Sequence, residues 1–271
     1  MENKKVTTTK PEAKVVPQQP TTPKHKFPTE TVELPSKGKL YPKNHPLSLG
    51  KIEMKYMTAK EEDIITNTNY INNGTVIDKL LEALIITPGV QLDDLIMGDK
   101  NALLMSARVL GYGKDYEFEY YGENVTVDLS ILKHKEIDWD LITEGVNEFT
   151  FTLPHTDTPV TFQIMTGHTE KKVDAELKGL TKINKRASAE MSTRLKHMLL
   201  SVNGDSDRSS IREFVDNYFL ARDARAFREY VKKISPDVNM VFDWEGYDGS
   251  FEEREIPIKS NFFFPDAGAG V

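Results

Sequence analysis

The sequence predicts an α+β protein, because helical and strand patterns occupy separate stretches of the chain. Period-two alternation of apolar and polar side chains indicates antiparallel hairpins in the middle of the chain and near its C-terminus. Apolar residues at three- and four-residue spacing indicate helices before and between those hairpins. A Pro-, Thr- and Lys-rich N-terminal stretch follows neither pattern. We therefore expect five parts, which cover residues 1–33, 34–113, 114–166, 167–235 and 236–271.

Composition is typical of a globular protein with a real core. Of the 271 residues, 38% are hydrophobic and 28% are charged, and the formal net charge is −7. This negative balance argues against nucleic-acid binding over the whole surface. The absence of cysteine excludes disulfides, thiol nucleophiles and cysteine-ligated zinc. Because no membrane-length apolar run or signal-peptide pattern is present, we expect neither a membrane-spanning nor a conventionally secreted protein.

Residues 1–33 predict an arm that is extended or disordered when alone. Its apolar side chains are too few to offset the entropy cost of ordering the backbone. Its prolines disfavour helices and central strands, and its lysines outnumber its acidic residues. The arm is either a tether that lies on a neighbour's surface or a loose terminus.

Residues 34–113 predict a small helical domain with one strand. Alternation over 51–57 indicates a half-buried strand. Thr58 is the expected N-cap of a helix over residues 59–69, and Glu61 is placed to complete a capping box.

Two more helices are expected in the same domain. One begins at Thr75 and ends before Pro88, and its apolar face indicates a core helix. A short helical turn over 92–99 then leads to a helix that Asp99 caps.

The regions 114–166 and 236–271 predict antiparallel hairpins. In each, two alternating runs flank a turn-forming segment. The expected pairs are 116–120 with 125–129, 148–153 with 160–164, and 239–244 with 251–258.

The region 167–235 predicts helices. Helical spacing from Thr169 to about Val202 indicates one long amphipathic helix. Two shorter helices follow, the first capped by Ser209 or Ser210 and the second by Asp223.

The long helix carries a basic flank between Lys171 and Lys196. We interpret this flank as solvated or partner-facing, and a nucleic-acid site is the alternative. Binding that is undetectable at low salt would reject that alternative, because phosphate contacts are strongest there.

No motif in the chain supports catalytic, cofactor-binding or metal-binding residues. The histidines lack the spacing that places two ligands on one helix face. The Asp93-Asp94 and Glu252-Glu253 pairs are interpreted as capping or surface charge. An enzyme is the competing class, and it requires a pocket that holds at least two carboxylates of a set of four. That set is Asp128, Asp138, Asp140 and Glu144.

Aromatic residues are the best candidates for partner contacts. Phe262, Phe263 and Phe264 are consecutive, and an extended segment points successive side chains to opposite sides. At least one of them is expected to meet another element or another subunit, and a closing strand between two layers is the alternative. Leu34 and Tyr41, where the arm meets the body, complete the candidate partner-binding set.

Several strings of residues form a set that spans most of the chain beyond the arm. They are 34–38 with Tyr41 and Pro42, 54–63, 96–104, 111–117, and 262–265 after the last hairpin. The most specific is Gly-Asp-x-Asn-Ala-Leu-Leu at 98–104. This set resembles the baseplate hub subunit and hub assembly protein family of T-even-like contractile-tail bacteriophages.

The resemblance implies a structural role without catalysis. It implies a virion protein of the tail baseplate that is assembled in the host cytoplasm and contacts other baseplate hub, tail-tube or tape-measure proteins. It implies no small-molecule substrate, cofactor or membrane. The alternative in the same biology is a tail assembly chaperone for the tape-measure protein, absent from the finished virion.

One departure from the family concerns zinc. Relatives often carry Cys-x-x-Cys knuckles in the hairpin after the helical domain and in the C-terminal hairpin, which together form a zinc ribbon. Here the corresponding turns, 121–124 and 245–249, contain no cysteine, so zinc is not implied. If the two hairpins still pack together, apolar side chains must replace the contribution of the metal. The candidates are Phe118, Val125, Val127, Val241, Phe242 and Phe251.

Overall fold

The computed structural model describes residues 28–183, 189–246, 249–258 and 262–263. Its helices and small antiparallel sheets confirm the predicted α+β class. In chain order the elements are β1 (Thr29–Glu33), β2 (Lys51–Lys55), α1 (Ala59–Ile65), α2 (Thr68–Asn73), α3 (Val76–Leu84), α4 (Met97–Tyr112), β3 (Asp115–Tyr120), β4 (Glu123–Asp128), β5 (Phe149–Thr152), β6 (Pro159–Phe162), α5 (Gly167–Ile183), α6 (Glu190–Met198), β7 (Leu199–Val202), α7 (Arg208–Asn217), α8 (Ala221–Ile234), β8 (Val241–Glu245) and β9 (Phe251–Glu255).

The last residues assigned to the arm form a strand. This corrects the arm boundary at residue 33 and the expectation of a single strand in the N-terminal domain. β1 pairs antiparallel with β2, and Val32 lies opposite Ile52. Ile52 is buried and Val32 packs against the same core, so the pairing removes apolar surface from water. The remainder of the arm, residues 1–27, lies outside the described residues.

The predicted capping box is present, and the helix behind it is shorter than expected. The Glu61 carboxylate accepts hydrogen bonds from the Thr58 N–H at 3.0 Å and from the Thr58 hydroxyl at 2.6 Å. The helix predicted over 59–69 is divided into α1 and α2. The division occurs because the Asn67 side chain accepts two backbone N–H groups and starts a new helix.

All three predicted hairpins are present, as β3–β4, β5–β6 and β8–β9. The first has a two-residue turn, Tyr121 and Gly122, whose φ angles are 48° and 84°. Positive φ at both positions matches the right-handed twist of the paired strands.

The helix predicted from Thr169 to Val202 is corrected at its C-terminal end. Two helices, α5 and α6, replace it, and residues 184–188 between them lie outside the described residues. The last four residues, Leu199–Val202, form β7, which adds to β6 as the third strand of the β5–β6–β7 sheet. Periodicity cannot assign so short an apolar run, and the available edge of β6 decides its structure.

Two predicted caps are also corrected. α7 begins after Asp207, whose side chain accepts the N–H of Ser210, so neither Ser209 nor Ser210 is the cap. α8 begins after Leu220, two residues before the expected cap Asp223.

One hydrophobic cluster connects the described parts of the chain. It draws buried side chains from each predicted part after the arm, from Leu34 to Phe263. The β3–β4 and β8–β9 hairpins face each other within it. Their central contact is between the rings of Phe118 and Phe242, whose centroids are 5.3 Å apart.

The two hairpins therefore pack together without metal ligands, mostly through the apolar side chains that were expected to replace the metal. Phe118 and Phe242 are buried, and Val125 and Val127 pack against the core. Val241 is half-buried but lies outside the core cluster, and Phe251 is the clear exception, because its side chain is 71% exposed. Tyr120 and Trp244 replace it, with ring centroids 5.1 Å apart.

Candidate functional site

The structure buries the described members of the candidate partner-binding set. Leu34 is 1% exposed, Tyr41 5%, Phe262 0% and Phe263 6%. Phe262 packs edge-on against Tyr116 at 5.0 Å between ring centroids, so it closes the chain's own core. These four side chains are thus corrected from partner contacts to core residues. The fifth candidate, Phe264, lies outside the described residues.

Tyr41 instead belongs to a buried polar cluster with Ser36 and Asp99, which we call the Asp99 joint. One Asp99 carboxylate oxygen accepts the Ser36 N–H at 2.9 Å. The other accepts the Ser36 hydroxyl and the Tyr41 hydroxyl, each at 2.6 Å. Asp99 and Ser36 are both 0% exposed. The joint therefore fastens the segment 34–42 to the start of α4.

Local structure explains why these residues meet. α4 begins at Met97, so Asp99 is its third residue and does not cap it. Its carboxylate instead accepts hydrogen bonds from Ser36 and Tyr41 of the 34–42 segment. The segment turns back on itself at Lys37 and Gly38, whose φ angles are 52° and 76°. A Cβ on Gly38 would lie 2.3 Å from the carbonyl oxygen of Ser48, so only glycine fits there.

Burial dominates the electrostatics of the joint. It raises the pKa of Asp99 to about 6, although the hydrogen bonds from Ser36 and Tyr41 favour the ionised form. Burial and the neighbouring carboxylate also raise the pKa of Tyr41, so its hydroxyl keeps its proton and donates to Asp99. The Tyr41 oxygen in turn accepts the Ile96 N–H at 3.0 Å.

We expect Asp99 to make the free energy of unfolding fall as pH rises. A raised carboxyl pKa means that the native state holds the proton more tightly than the unfolded chain, whose value is about 3.9. The associated stability is complete below about pH 4 and is lost as pH rises through about 6, by up to roughly 1.4 kcal/mol per pH unit. Urea denaturation of the wild type and of Asp99→Asn between these pH values measures this loss.

The informative quantity is the wild-type stability minus that of Asp99→Asn at each pH. Other carboxylates act in the opposite direction, because hydrogen bonds from Arg212 and Lys114 lower the pKa values of Glu176 and Asp128 to about 2. Both proteins share those groups, so the subtraction removes them. A difference that stays constant or grows with pH would contradict the raised pKa of Asp99.

The same end of α4 also contacts the C-terminal region. Gly98 lies against the backbone at Pro236, where an added Cβ would be 1.8 Å from the carbonyl oxygen. One turn later, the Asn101 side chain donates to the Asp237 carboxylate at 3.1 Å. The residues 98–101 therefore join segments from both ends of the described chain.

The four carboxylates of the competing enzyme hypothesis do not form one site. Asp128 is bound by Lys114 at 2.6 Å. Asp138 accepts the Asp140 N–H and caps a short 3-10 helix. Glu144 is exposed further along that loop. Asp128 and Asp138 thus have local roles, and of the four only Asp128 lines one of the main pockets among the described residues.

The basic flank is divided by ion pairs. Lys171 contacts Asp93 at 2.7 Å, Lys196 contacts Asp216 at 2.6 Å, and Arg194 contacts Glu170 at 2.6 Å. These neighbouring acids reduce the positive potential that phosphate groups would require. Lys185 and Arg186 lie outside the described residues.

Asp93 and Asp94 have a structural use consistent with the surface-charge interpretation. Besides the Asp93–Lys171 pair, Asp94 contacts His45 at 3.2 Å and His168 at 3.0 Å. Within the described ranges, no three His, Asp or Glu side chains form a group that could hold a metal ion. In the same ranges, no helix is both long and apolar enough to cross a membrane.

An open apolar groove of about 590 Å³ lies between α6 and α8. Met191, Leu195 and Phe227 contribute to its lining. Its one acidic residue, Glu190, is paired with Arg194 at 3.1 Å. The groove therefore offers apolar contact area in place of paired catalytic groups.

No protein-family model, curated protein or solved structure matches this chain. The description of the Asp99 joint therefore depends only on the contacts within this structure. Sequence reasoning missed its construction, since it assigned Asp99 to a helix cap and Tyr41 to a partner surface. The sequence feature that could have indicated this contact is the pair of strings 34–38 and 98–104. Each contains a glycine beside a polar residue, and the two strings meet in the fold.

Proposed function

We propose that this chain is a structural or assembly subunit of the baseplate hub of a contractile-tail bacteriophage, acting through contacts with other proteins. The proposed partners are other hub proteins, tail-tube proteins or the tape-measure protein. The observation that carries the proposal is the Asp99 joint. It unites two of the strings that carry the resemblance, 34–38 and the most specific one, 98–104, through Ser36 and Asp99, which are 63 positions apart.

The burial of the joint supports a structural role, and not a catalytic one, for the residues of those strings. Ser36 and Asp99 are wholly buried and bonded to each other, so neither presents a nucleophile or base to a substrate. The segment that the joint fixes runs directly from β1, and residues 1–27 precede that strand. A subunit built in this way fixes the position of β1, the strand that residues 1–27 precede, which suits assembly with neighbours.

Mass spectrometry of purified virions of the source phage tests the proposal. We expect peptides of this chain in finished particles at a constant ratio to the tail-tube protein. The total lysate of infected cells provides the control for expression. Presence in the lysate with absence from the particles would overturn the structural assignment in favour of a transient assembly chaperone.

A further inference from the structure

One edge of the β1–β2 sheet is unpaired within the described residues. At the ends of the ladder, Leu34 donates its N–H to Gly50 at 2.8 Å, and Tyr56 donates to Pro28 at 3.1 Å. Inward and outward hydrogen bonding alternates along an antiparallel strand, so the even-numbered residues of β1 face β2. No described residue bonds to the outward backbone groups. These groups belong to Thr29, Thr31 and Glu33.

The other edge of this sheet is already covered. Ile86 donates its N–H to the Glu53 carbonyl at 3.0 Å, and the Glu53 N–H donates to the Thr87 hydroxyl at 2.7 Å. Among the described residues, the edge that is left open for a further strand is therefore that of β1. An exposed strand edge is a template for a further strand from another segment.

A groove beside β1 provides a surface on which such a strand could pack. Residues 30–33 form one wall, and Met105, Val109 and Leu132 contribute apolar side chains on the other side. Its volume is about 270 Å³, below the range of about 300–1,000 Å³ that is usual for small-molecule pockets. This space suits a few side chains of an added strand better than a compact ligand.

The chain itself contains a matching strand sequence. Residues 4–10 read Lys-Lys-Val-Thr-Thr-Thr-Lys, and the first proline of the chain follows at position 11. Valine and threonine favour extended structure, and this segment carries three lysines. β1 offers the opposite charge, because Glu30 and Glu33 are exposed on it.

We propose that residues 4–10 of a second copy of this chain add as a strand to the outer edge of β1. The copy is a second one because prolines recur at 11, 17, 20, 23 and 28, and proline-rich linkers favour extended conformations. Such a linker extends by about 3.1 Å per residue, so it carries the segment away from its own β1. Reciprocal exchange gives a dimer, and one-way exchange gives a ring if the rotation closes or an open filament if it does not.

Sedimentation of the full-length protein over a range of concentrations tests the proposal. We expect the wild type to self-associate and Val6→Pro to weaken association by about tenfold or more, because proline removes a backbone donor from the added strand. Gln19→Pro is the matched control, since it adds a proline to a region already rich in proline and should leave association unchanged. Thr31→Pro should have the effect of Val6→Pro, because the Thr31 N–H faces outward.

Crosslinking distinguishes a second copy from the same chain. The protein has no cysteine, so Thr8→Cys and Thr31→Cys each introduce a single thiol. Mixing the two variants with a short bis-maleimide should yield a crosslinked dimer, whereas a reaction confined to the double variant would show pairing within one chain. That result, a monomeric wild type, or association unaffected by Val6→Pro would overturn the proposal. Because Val6 lies outside the described fold, this variant remains informative even if Thr31→Pro does not fold.

The proposal and the assignment to phage virions can fail separately. Self-association uses only this chain, so its absence would leave the mass-spectrometric result unaffected. Equally, absence from virions would not change whether copies of the purified protein associate.

Discussion

Replacement of Asp99 by alanine is expected to lower the free energy of unfolding by about 3–5 kcal/mol. The substitution removes the acceptor of three hydrogen bonds in a site where all the partners are buried. Each buried donor left without an acceptor destabilises the native state by roughly 1–3 kcal/mol. The loss is smaller than the sum because burial already disfavours the ionised carboxylate, as the raised pKa of Asp99 shows.

Urea denaturation at pH 7 measures this effect, and two other aspartates provide a graded comparison. Asp223 is also buried, and it accepts two hydrogen bonds, from His155 at 2.8 Å and Thr156 at 3.0 Å. Asp223→Ala should therefore cause a smaller loss than Asp99→Ala. Asp174 is exposed in the middle of α5, so Asp174→Ala should change stability by at most about 0.5 kcal/mol.

If the free energy of unfolding of Asp99→Ala lies within about 1 kcal/mol of the wild-type value, the Asp99 joint does not contribute the expected stability. If Asp99→Ala does not fold at all, Tyr41→Phe tests the same site more gently. It removes one donor to Asp99 and leaves the Ile96 N–H without its acceptor, so we expect an intermediate loss of about 1–3 kcal/mol.

Local signals explain the features that were predicted correctly. The capping box at Thr58 and Glu61 depends on residues three positions apart. The β3–β4 hairpin depends on alternation around Tyr121 and Gly122. Such interactions form within a short stretch of chain, so a single sequence contains most of the information that determines them.

Non-local pairing explains most of the corrections. β1 looks like part of an arm until its partner β2 is known, and Leu199–Val202 looks helical until the edge of β6 is known. In both cases a distant strand decides the backbone conformation. Local propensity is too weak to overrule a partner that offers both hydrogen bonds and burial.

Asp99 and Asp223 show the same limit for side chains. An aspartate near a helix start favours a capping interpretation, and each is in fact the third residue of its helix. That position keeps the carboxylate near the positive end of the helix dipole while it binds another segment. For Asp99 the bonded hydroxyls belong to residues 58 and 63 positions earlier, a distance that no local pattern reports.

The candidate site was misassigned for a related reason. Large apolar residues are enriched both in cores and in interfaces, so Leu34, Phe262 and Phe263 fit either role from sequence alone. Only the completed fold shows that the hairpins and α4 leave space for them inside the chain. One surface that remains open is a strand edge, whose hydrogen-bonding groups belong to the backbone and thus have little signature in the sequence.

Replacement of Gly98 by alanine is expected to destabilise the protein by about 3 kcal/mol, at the upper end of the range for overpacking. The new Cβ would lie 1.8 Å from the Pro236 carbonyl oxygen and 2.9 Å from the Asp237 Cα. These are backbone atoms, so relief requires movement of the 236–237 segment away from α4. That movement would also stretch the hydrogen bond between Asn101 and Asp237.

Gly179→Ala is the matched control for this substitution. Gly179 also lies inside a helix, α5, but a Cβ there meets nothing within 4 Å. Alanine is the better helix former, so this change should stabilise the protein by about 0.4–1 kcal/mol. The same substitution is thus expected to lower the free energy of unfolding at position 98 and to raise it at position 179. Thermal unfolding of both variants tests this, and a Gly98→Ala protein as stable as Gly179→Ala would show that α4 and the 236–237 segment do not make this close contact.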